Sequence, residues 1–581
     1  MCGILAIASS TPLPPDLDRS PAWRGAMERL GTRGPDATGA WTAPDAPLRF
    51  GHTRLAIQDL SDAGAQPMTD PSGRVAIVFN GEIYNAPALR RELLSSGPPF
   101  HGTSDTEVLL RAFLAWGIER TLDRAQGMFA LLIWDGRSGE LHGAVDPTGQ
   151  KPLYLAERDG AIGLASDAIA LRRAFATGAA LSYTGLCHVL RLGYCPAPMT
   201  VWTGIQKLEP GTRLRWTAKD GLTRRRYWQA PEAIDHAGAR EPFAELFTRV
   251  VSEHLLSDVP VALLLSAGID SGAIALALRD AGASPECVTL AMAGEHDESG
   301  DARALADHLG LSHTRVEFAD TPLDDLLGEA VCAFDEPQVY GALLTQTRVA
   351  TAARAHAKVV LTGDGGDEAF AGYAWHDRPP RGENQRLALS EHATRVMPWF
   401  SASDAARLLE PLRQRAEPVY TEEAAIETLL PHDRPALPWP RRAQRLDLAG
   451  FCAGSILPKV DRASMRVGLE MRAPLLDRRI LEWAISRPVV PGEGPKAPLR
   501  SMLTGRVPER TLTRPKQGFS LRIADPTRWH DHAERLAGRP FMTHALDPSW
   551  TSACERGAPY AHSRAYALTF LARWAEAHGA C

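Results

Sequence analysis

No Cys-x-x-Cys pair occurs in this chain, although it carries eight cysteines: Cys2, Cys187, Cys195, Cys287, Cys332, Cys452, Cys554 and Cys581. That scatter argues against a zinc site and a disulfide framework, and a reducing, cytoplasmic setting is expected. No long basic run stands out among 64 basic and 69 acidic residues, so nothing points to a nucleic-acid partner. No apolar segment reaches the length of a membrane helix, and the apolar start lacks the basic leader of a secretory signal. Internal repeats and low-complexity tracts are missing too. What is there is ordinary for a globular protein: 44% hydrophobic and 23% charged residues at a net charge of −5. At 581 residues the chain is too long for one core, and two or three domains are expected.

One stretch organises the rest. Pro260 to Leu265 reads as an apolar strand buried on both faces. It breaks into Ser266-Ala267-Gly268-Ile269-Asp270-Ser271-Gly272, and Ala273 begins a helix. Such a turn aims several backbone N–H groups and a helix N-terminus at one spot, which suits phosphate. Asp270 adds a carboxylate that suits Mg²⁺ against phosphate oxygens. No Gly-Lys-Ser/Thr follows, so this is not a Walker A loop.

A second strand, Val359-Val360-Leu361, runs into Thr362-Gly363-Asp364-Gly365-Gly366-Asp367-Glu368-Ala369-Phe370-Ala371-Gly372-Tyr373. Ligands of α/β sheets lie beyond the carboxyl ends of strands, so the two loops are expected to face each other. A plain surface turn has the same composition, but the EF-hand spacing of a calcium loop is absent. Helices alternating with short strands from about residue 241 predict an α/β sheet with right-handed crossovers. Residues 376 to 386 read as a mobile lid beside this site.

At the other end, a residue at position two is normally left terminal once the initiator methionine is trimmed. Cys2 would then carry a free α-amine of pKa about 8, nucleophile and base in one residue. Arg33-Gly34-Pro35-Asp36, His52-Thr53-Arg54, Phe79-Asn80-Gly81-Glu82 and Thr103-Ser104-Asp105 follow. Alone, Asn80-Gly81 is a hairpin-turn signal.

Together these motifs resemble the class II glutamine amidotransferase domain. The resemblance implies an α+β N-terminal-nucleophile fold, two stacked sheets between helices, with Cys2 as the nucleophile. It implies Asn80 and the Gly81 N–H as oxyanion donors, and Arg54, Asn80, Gly81, Glu82 and Asp105 as the glutamine site. Two positions depart from the family: Thr32 replaces a histidine and Val145 an arginine. The 266–271 loop resembles that of the ATP pyrophosphatases, with Ala267 in place of glycine. The 362–373 loop resembles asparagine and β-lactam synthetases.

From about residue 1 to 525 the chain is similar to the glutamine-hydrolysing asparagine synthetase family. That likeness implies an α/β ATP-pyrophosphatase domain with a helical C-terminal part. It implies ATP contacts from Leu264, Ser266, Gly268, Asp270, Ser271, Met292, Thr362 and Gly363, and Mg²⁺ on Asp270 and Asp367. Lys516, in Arg514-Pro515-Lys516-Gln517-Gly518-Phe519, would touch the phosphates, and Tyr373 would pair with Asp364, as a tyrosine and an acid do in the β-lactam relatives. The domains expected are a glutaminase at 1–211, a linker at 212–240 and a synthetase at 241–581. The implied function is a glutamine-dependent, AMP-forming amide ligase whose partners are glutamine, ATP and a carboxylate acceptor, with a homodimer left open. Two alternatives are a relative amidating a carboxylate other than aspartate, and a lactam-forming synthetase with a vestigial glutaminase. Cys2 argues against the second. Tyr340, Ala342 and Thr345, where many asparagine synthetases carry an acid, a serine and a proline, argue for the first.

Overall fold

The computed structural model of the chain describes residues 2–95, 97–175, 178–232, 241–291, 297–317, 321–382, 384–514 and 560–579. Its first strand, β1 (Gly3–Ser9), is buried along its whole length. Ile4, Ala6 and Ala8 alternate with Leu5 and Ile7, so the strand is apolar on both faces and belongs between two layers. It lies inside an antiparallel sheet of β10 (Gln206–Lys207), β8 (Tyr154–Arg158), β9 (Ala161–Ala165), β1, β3 (Leu48–Arg54) and β2 (Ala37–Thr42), in that spatial order. A second antiparallel sheet runs β12 (Gly221–Arg226), β11 (Thr212–Thr217), β7 (Glu140–Val145), β6 (Gly127–Asp135), β5 (Val75–Ile83) and β4 (Met68–Thr69).

The two sheets pack face to face through Ile4, Ala6 and Phe50 on one side and Val78, Ala130 and Leu132 on the other. Leu5 and Ile7 turn outward onto Trp23, Ala26 and Leu30 of the helix Pro21–Gly31. Ile77, Phe79 and Leu131 turn outward onto the helices Ala86–Leu94 and Asp105–Arg124. The order is helix, sheet, sheet, helix, the stacked architecture expected.

The first domain border differs from expectation. Residues 212–226, read as linker from their charges, are β11 and β12 and extend the second sheet. Leu214 and Trp216 face the core while Arg213 and Arg215 face outward to Glu119 and Glu140. The charges masked a period-two strand.

The third sheet is parallel: β15 (His313–Glu317), β14 (Glu286–Ala291), β13 (Val261–Leu264), β16 (Val359–Leu361) and β17 (Glu470–Arg472). Helices cover both faces, Ile269–Asp280 on one and Ala342–Arg354 on the other. From β13 the chain winds outward to β14 and β15, then returns to the other flank for β16 and β17. The strand order reverses between β13 and β16, so the loops after these two strands border the crevice where such sheets bind ligands.

The remainder is helical, as expected, and includes a last helix, Ala561–Ala577, beyond the stretch whose sequence was informative. Trp574 of that helix donates from Nε1 to the Phe334 carbonyl at 2.8 Å, and its ring lies 5.3 Å from that of Trp202. One continuous core therefore joins the two stacked sheets and their helices to the C-terminal helices. Buried ions cross the same seam. Arg33 forms a two-pronged pair with Asp461 at 2.8 and 3.0 Å, and Arg462 reaches Asp335 at 2.9 Å and the Tyr154 hydroxyl at 2.6 Å.

Candidate active sites

Cys2 stands just before β1 and is buried, with its N–H donating to Asn80 Oδ1 at 2.9 Å. Asn80 and Gly81 are mid-strand in β5, paired with Ala130 and Phe129, so the hairpin-turn reading does not hold. The other end of the Asn80 amide, Nδ2, is buried and has no acceptor, a donor held ready beside the cysteine. A Cβ on Gly81 would sit 2.1 Å from the Met128 carbonyl oxygen, so only glycine fits there.

A small cavity of about 30 Å³ is lined by Cys2, Arg54, Gly81, Glu82 and Asp105, the residues expected to meet there. Arg54 ends β3, and its guanidinium holds the Gln58, Asp59 and Ser61 carbonyls. Asp105 opens its helix behind the Ser104 cap and accepts from the Ile83 N–H at 3.0 Å. Burial pushes the Asp105 carboxyl up to about 6. Burial also raises the Cys2 thiol, opposed by the Leu55 N–H and Arg54.

The wall of this cavity holds a residue outside the expected glutamine site. Glu470, on β17 of the third sheet, lines it, and Arg472 on the same strand pairs with Glu470 at 2.7 Å and Glu82 at 2.9 Å. The signal was present: Leu469-Glu470-Met471-Arg472-Ala473 puts two opposite charges on one face of an otherwise apolar strand.

At the crevice of the third sheet, the loop after β13 closes on itself through Ser266 and Ser271, whose hydroxyls are 2.9 Å apart. Gly268 caps the helix Ile269–Asp280, leaving its first N–H groups toward the crevice. The loop after β16 does face it. A Cβ on Gly366 would lie 2.5 Å from Asp270 Oδ1, and one on Gly363 would lie 3.0 Å from the Asp270 Cβ. Leu264 ends β13, and Thr362 follows β16 with its N–H on the Arg472 carbonyl. Met292 and Lys516 lie outside the described residues.

Asp270 and Asp367 come together on a residue that sequence reasoning missed. The Lys496 ammonium is 2.5 Å from Asp270 Oδ2 and 2.8 Å from Asp367 Oδ1. Burial would lower its pKa, but the two carboxylates outweigh that and hold it above the ordinary value. Two carboxylates converging on one cation fit Mg²⁺, whose other ligands would be phosphate oxygens and water. A lone lysine in Gly494-Pro495-Lys496-Ala497-Pro498 carries no such signal by itself.

Tyr373 does not pair with Asp364. Its hydroxyl donates to Glu368 Oε1 at 2.7 Å, while Asp364 lies 4.0 Å from the Lys459 ammonium. Gly365, at φ +88°, turns the chain after Asp364, and the short helix Gly366–Ala369 carries Glu368 toward the tyrosine instead. Burial, then Asp367, push the Glu368 carboxyl up to about 8. The lid reading of residues 376–386 also fails at its start. His376 is fully buried, with Nε2 2.6 Å from Asp447 Oδ2. The 334–345 segment is packing as well. Asp335 and Glu336 bind Arg462 and Lys207, and the Tyr340 hydroxyl donates to the Val396 carbonyl.

Residues 1–228 match the family model for a glutamine amidotransferase domain, and residues 242–575 that for asparagine synthase. The chain is an ATP-dependent, glutamine-using amide ligase by class. It belongs to the glutamine-hydrolysing asparagine synthetase family. It is 30% identical to asparagine synthetase [glutamine-hydrolyzing] 1 of Bacillus subtilis, over 90% of this chain and 87% of that one. It is also 30% identical to asparagine synthetase [glutamine-hydrolyzing] 3 of the same organism, over 85% and 83%. A solved glutamine phosphoribosylpyrophosphate amidotransferase from B. subtilis aligns with 62% of this chain and 81% of its own. Its identity is 17% and its TM-score 0.30, too low to bear on the fold. These comparisons do not favour a lactam-forming enzyme or a non-aspartate specialist.

Proposed function

We propose that the protein makes asparagine from aspartate, with glutamine as nitrogen donor and MgATP as the activating nucleotide. The observation that carries this is the joining of the two centres: the strand that closes the synthetase sheet, β17, also walls the cysteine cavity. Residues up to Arg226 form the glutaminase, Tyr227 to Pro242 connect, and the rest is the synthetase.

With Met1 removed, the Cys2 α-amine takes the thiol proton and the sulfur attacks the glutamine amide carbon. Asn80 Nδ2 and the Gly81 N–H stabilise the oxyanion, ammonia leaves, and water hydrolyses the thioester to glutamate. Arg54 pairs with the substrate α-carboxylate; Asp105, with Glu82, receives the α-ammonium. In the synthetase, Ser266, Gly268, Ser271, Thr362 and Gly363 hold the nucleotide phosphates, and Leu264 lies against adenine. Asp270 and Asp367 would hold Mg²⁺, which would supply positive charge against the departing pyrophosphate. The aspartate side-chain carboxylate attacks the α-phosphorus, and ammonia then displaces AMP from the acyl-adenylate. Ammonia passes inside the seam, where exclusion of water prevents its protonation.

Cys2→Ala with aspartate and MgATP tests the division of labour. Asparagine formation from glutamine should fall by about 10⁴-fold or more, as on deleting a nucleophile, while formation from ammonium salt persists. Loss of both in a folded variant would refute two separate centres. Failure of wild type to make asparagine, with AMP release on another carboxylate, would refute aspartate as acceptor.

A further inference from the structure

A cavity of about 70 Å³ lies at the junction of the two halves, apart from both catalytic centres. Pro147, Thr148 and Pro210 of the amidotransferase layers form one wall, and Leu448 and Ala449 of the synthetase helices form another. Trp228, from the connecting segment, supplies a flat aromatic face. The lining is thus mostly apolar, except at one end.

At that end three guanidinium groups converge, those of Arg226, Arg434 and Arg445, with His432 among them. Among the described residues the nearby counter-charge is Glu232, which accepts from Arg434 at 2.6 Å and lies 3.9 Å from Arg445. Asp433, the other acid at hand, is taken by Arg442 and Gln385. Arg226 makes no side-chain hydrogen bond or ion pair among the described residues. Arg445 is 5% exposed, and its buried Nε has no acceptor. Arg226 is exposed and Arg434 partly so, while Arg445 is buried and also donates to the Ala230 and Pro231 carbonyls. The cluster thus carries more positive charge than its one carboxylate offsets, which a bound anion would balance. Burial and the three arginines together push His432 down to about 4, so at neutral pH it offers hydrogen bonds without further charge.

We infer that this cavity is a binding site for a small carboxylate with an apolar, preferably flat, body: the carboxylate on the arginines and the body against Trp228 and the prolines. A guanidinium fork matches a carboxylate in two-pronged geometry, and the apolar walls favour an organic acid over an inorganic anion. Because its walls come from both halves, the ligand spans their junction.

Isothermal titration of the full-length protein with benzoate tests this, with benzyl alcohol and inorganic phosphate as controls. Benzoate should bind saturably with one site per chain, phosphate more weakly, and benzyl alcohol not at all. Arg226→Ala should weaken benzoate by about tenfold or more, the loss of one charge-assisted pair, and leave glutamine hydrolysis unchanged. Absence of benzoate binding would overturn the site. Equal binding of benzyl alcohol would overturn the role of the arginines, and equal binding of phosphate that of the apolar walls. Undiminished benzoate binding in both Arg226→Ala and His432→Gln would place the site elsewhere.

Discussion

Glu368 sits 1% exposed beneath Tyr373, its carboxyl raised from an ordinary 4.5 to about 8. A carboxyl raised in the folded state keeps its proton there while the unfolded chain gives it up. The folded state therefore loses stability as pH rises from about 4.5 to about 8. Glu368→Gln keeps an acceptor for Tyr373 and cannot ionise. It should melt close to wild type at pH 5 and clearly above it at pH 8. Thermal melts at the two values check this, and an equal gain at both would contradict the raised carboxyl. Lys496 permits a second test at the same scale. Lys496→Met removes the ammonium between Asp270 and Asp367, which should then hold Mn²⁺ without nucleotide. Affinity read by electron paramagnetic resonance should rise by at least about tenfold, the effect of losing one neighbouring charge. Asp270→Asn or Asp367→Asn in the Lys496→Met background should abolish that gain.

Among the elements, β17 has the widest reach for three residues. It closes the parallel sheet beside β16, yet its Glu470 lines the cysteine cavity and its Arg472 holds Glu82, another residue of that lining. Arg472 is fully buried, paired with Glu82 and Glu470, and donates to the His254 and Leu256 carbonyls. Arg472→Met removes the guanidinium that pairs with buried Glu82 and Glu470. It should destabilise the protein by about 3–5 kcal/mol, and cut glutamine hydrolysis although it lies in the synthetase half. Denaturant melts and a glutaminase assay measure the two effects. Normal glutamine hydrolysis in the folded variant would reduce β17 to scaffolding.

For the whole molecule, the decisive feature is that neither half is complete. Cutting after residue 228 would remove Glu470 from the cysteine cavity and Arg472 from Glu82. It would also strip the covers from Trp202 and Tyr154, both nearly fully buried. Fragment 1–228 should therefore hydrolyse glutamine poorly and be cleaved faster by protease than the intact chain. A fragment as active and as protease-resistant as the intact chain would show that the seam is dispensable.

The amino-acid sequence alone carried much of this. The alternation in Gly3–Ser9 and the apolar runs before Ser266 and Thr362 specify the layers, because their burial is written residue by residue in side-chain period. Cys2, Arg54, Asn80, Gly81 and Asp105 could be grouped, as could Asp270 with Asp367, because the motifs that hold them resemble those of a known family. What depends on contacts between distant segments was not legible. Asp364 and Glu368 both lie within reach of Tyr373 along the chain, and only the turn at Gly365 decides for Glu368. Charges hid β11 and its edge neighbour β12, since a half-buried, arginine-rich strand is legible only once its partners are known. Lys496 and β17 reach their sites from 226 and 388 residues away, counting from Asp270 (496 − 270) and from Glu82 to Glu470 (470 − 82). No local pattern encodes such a meeting; it is fixed by how the sheets stack, where pairing buried charges outweighs leaving them alone.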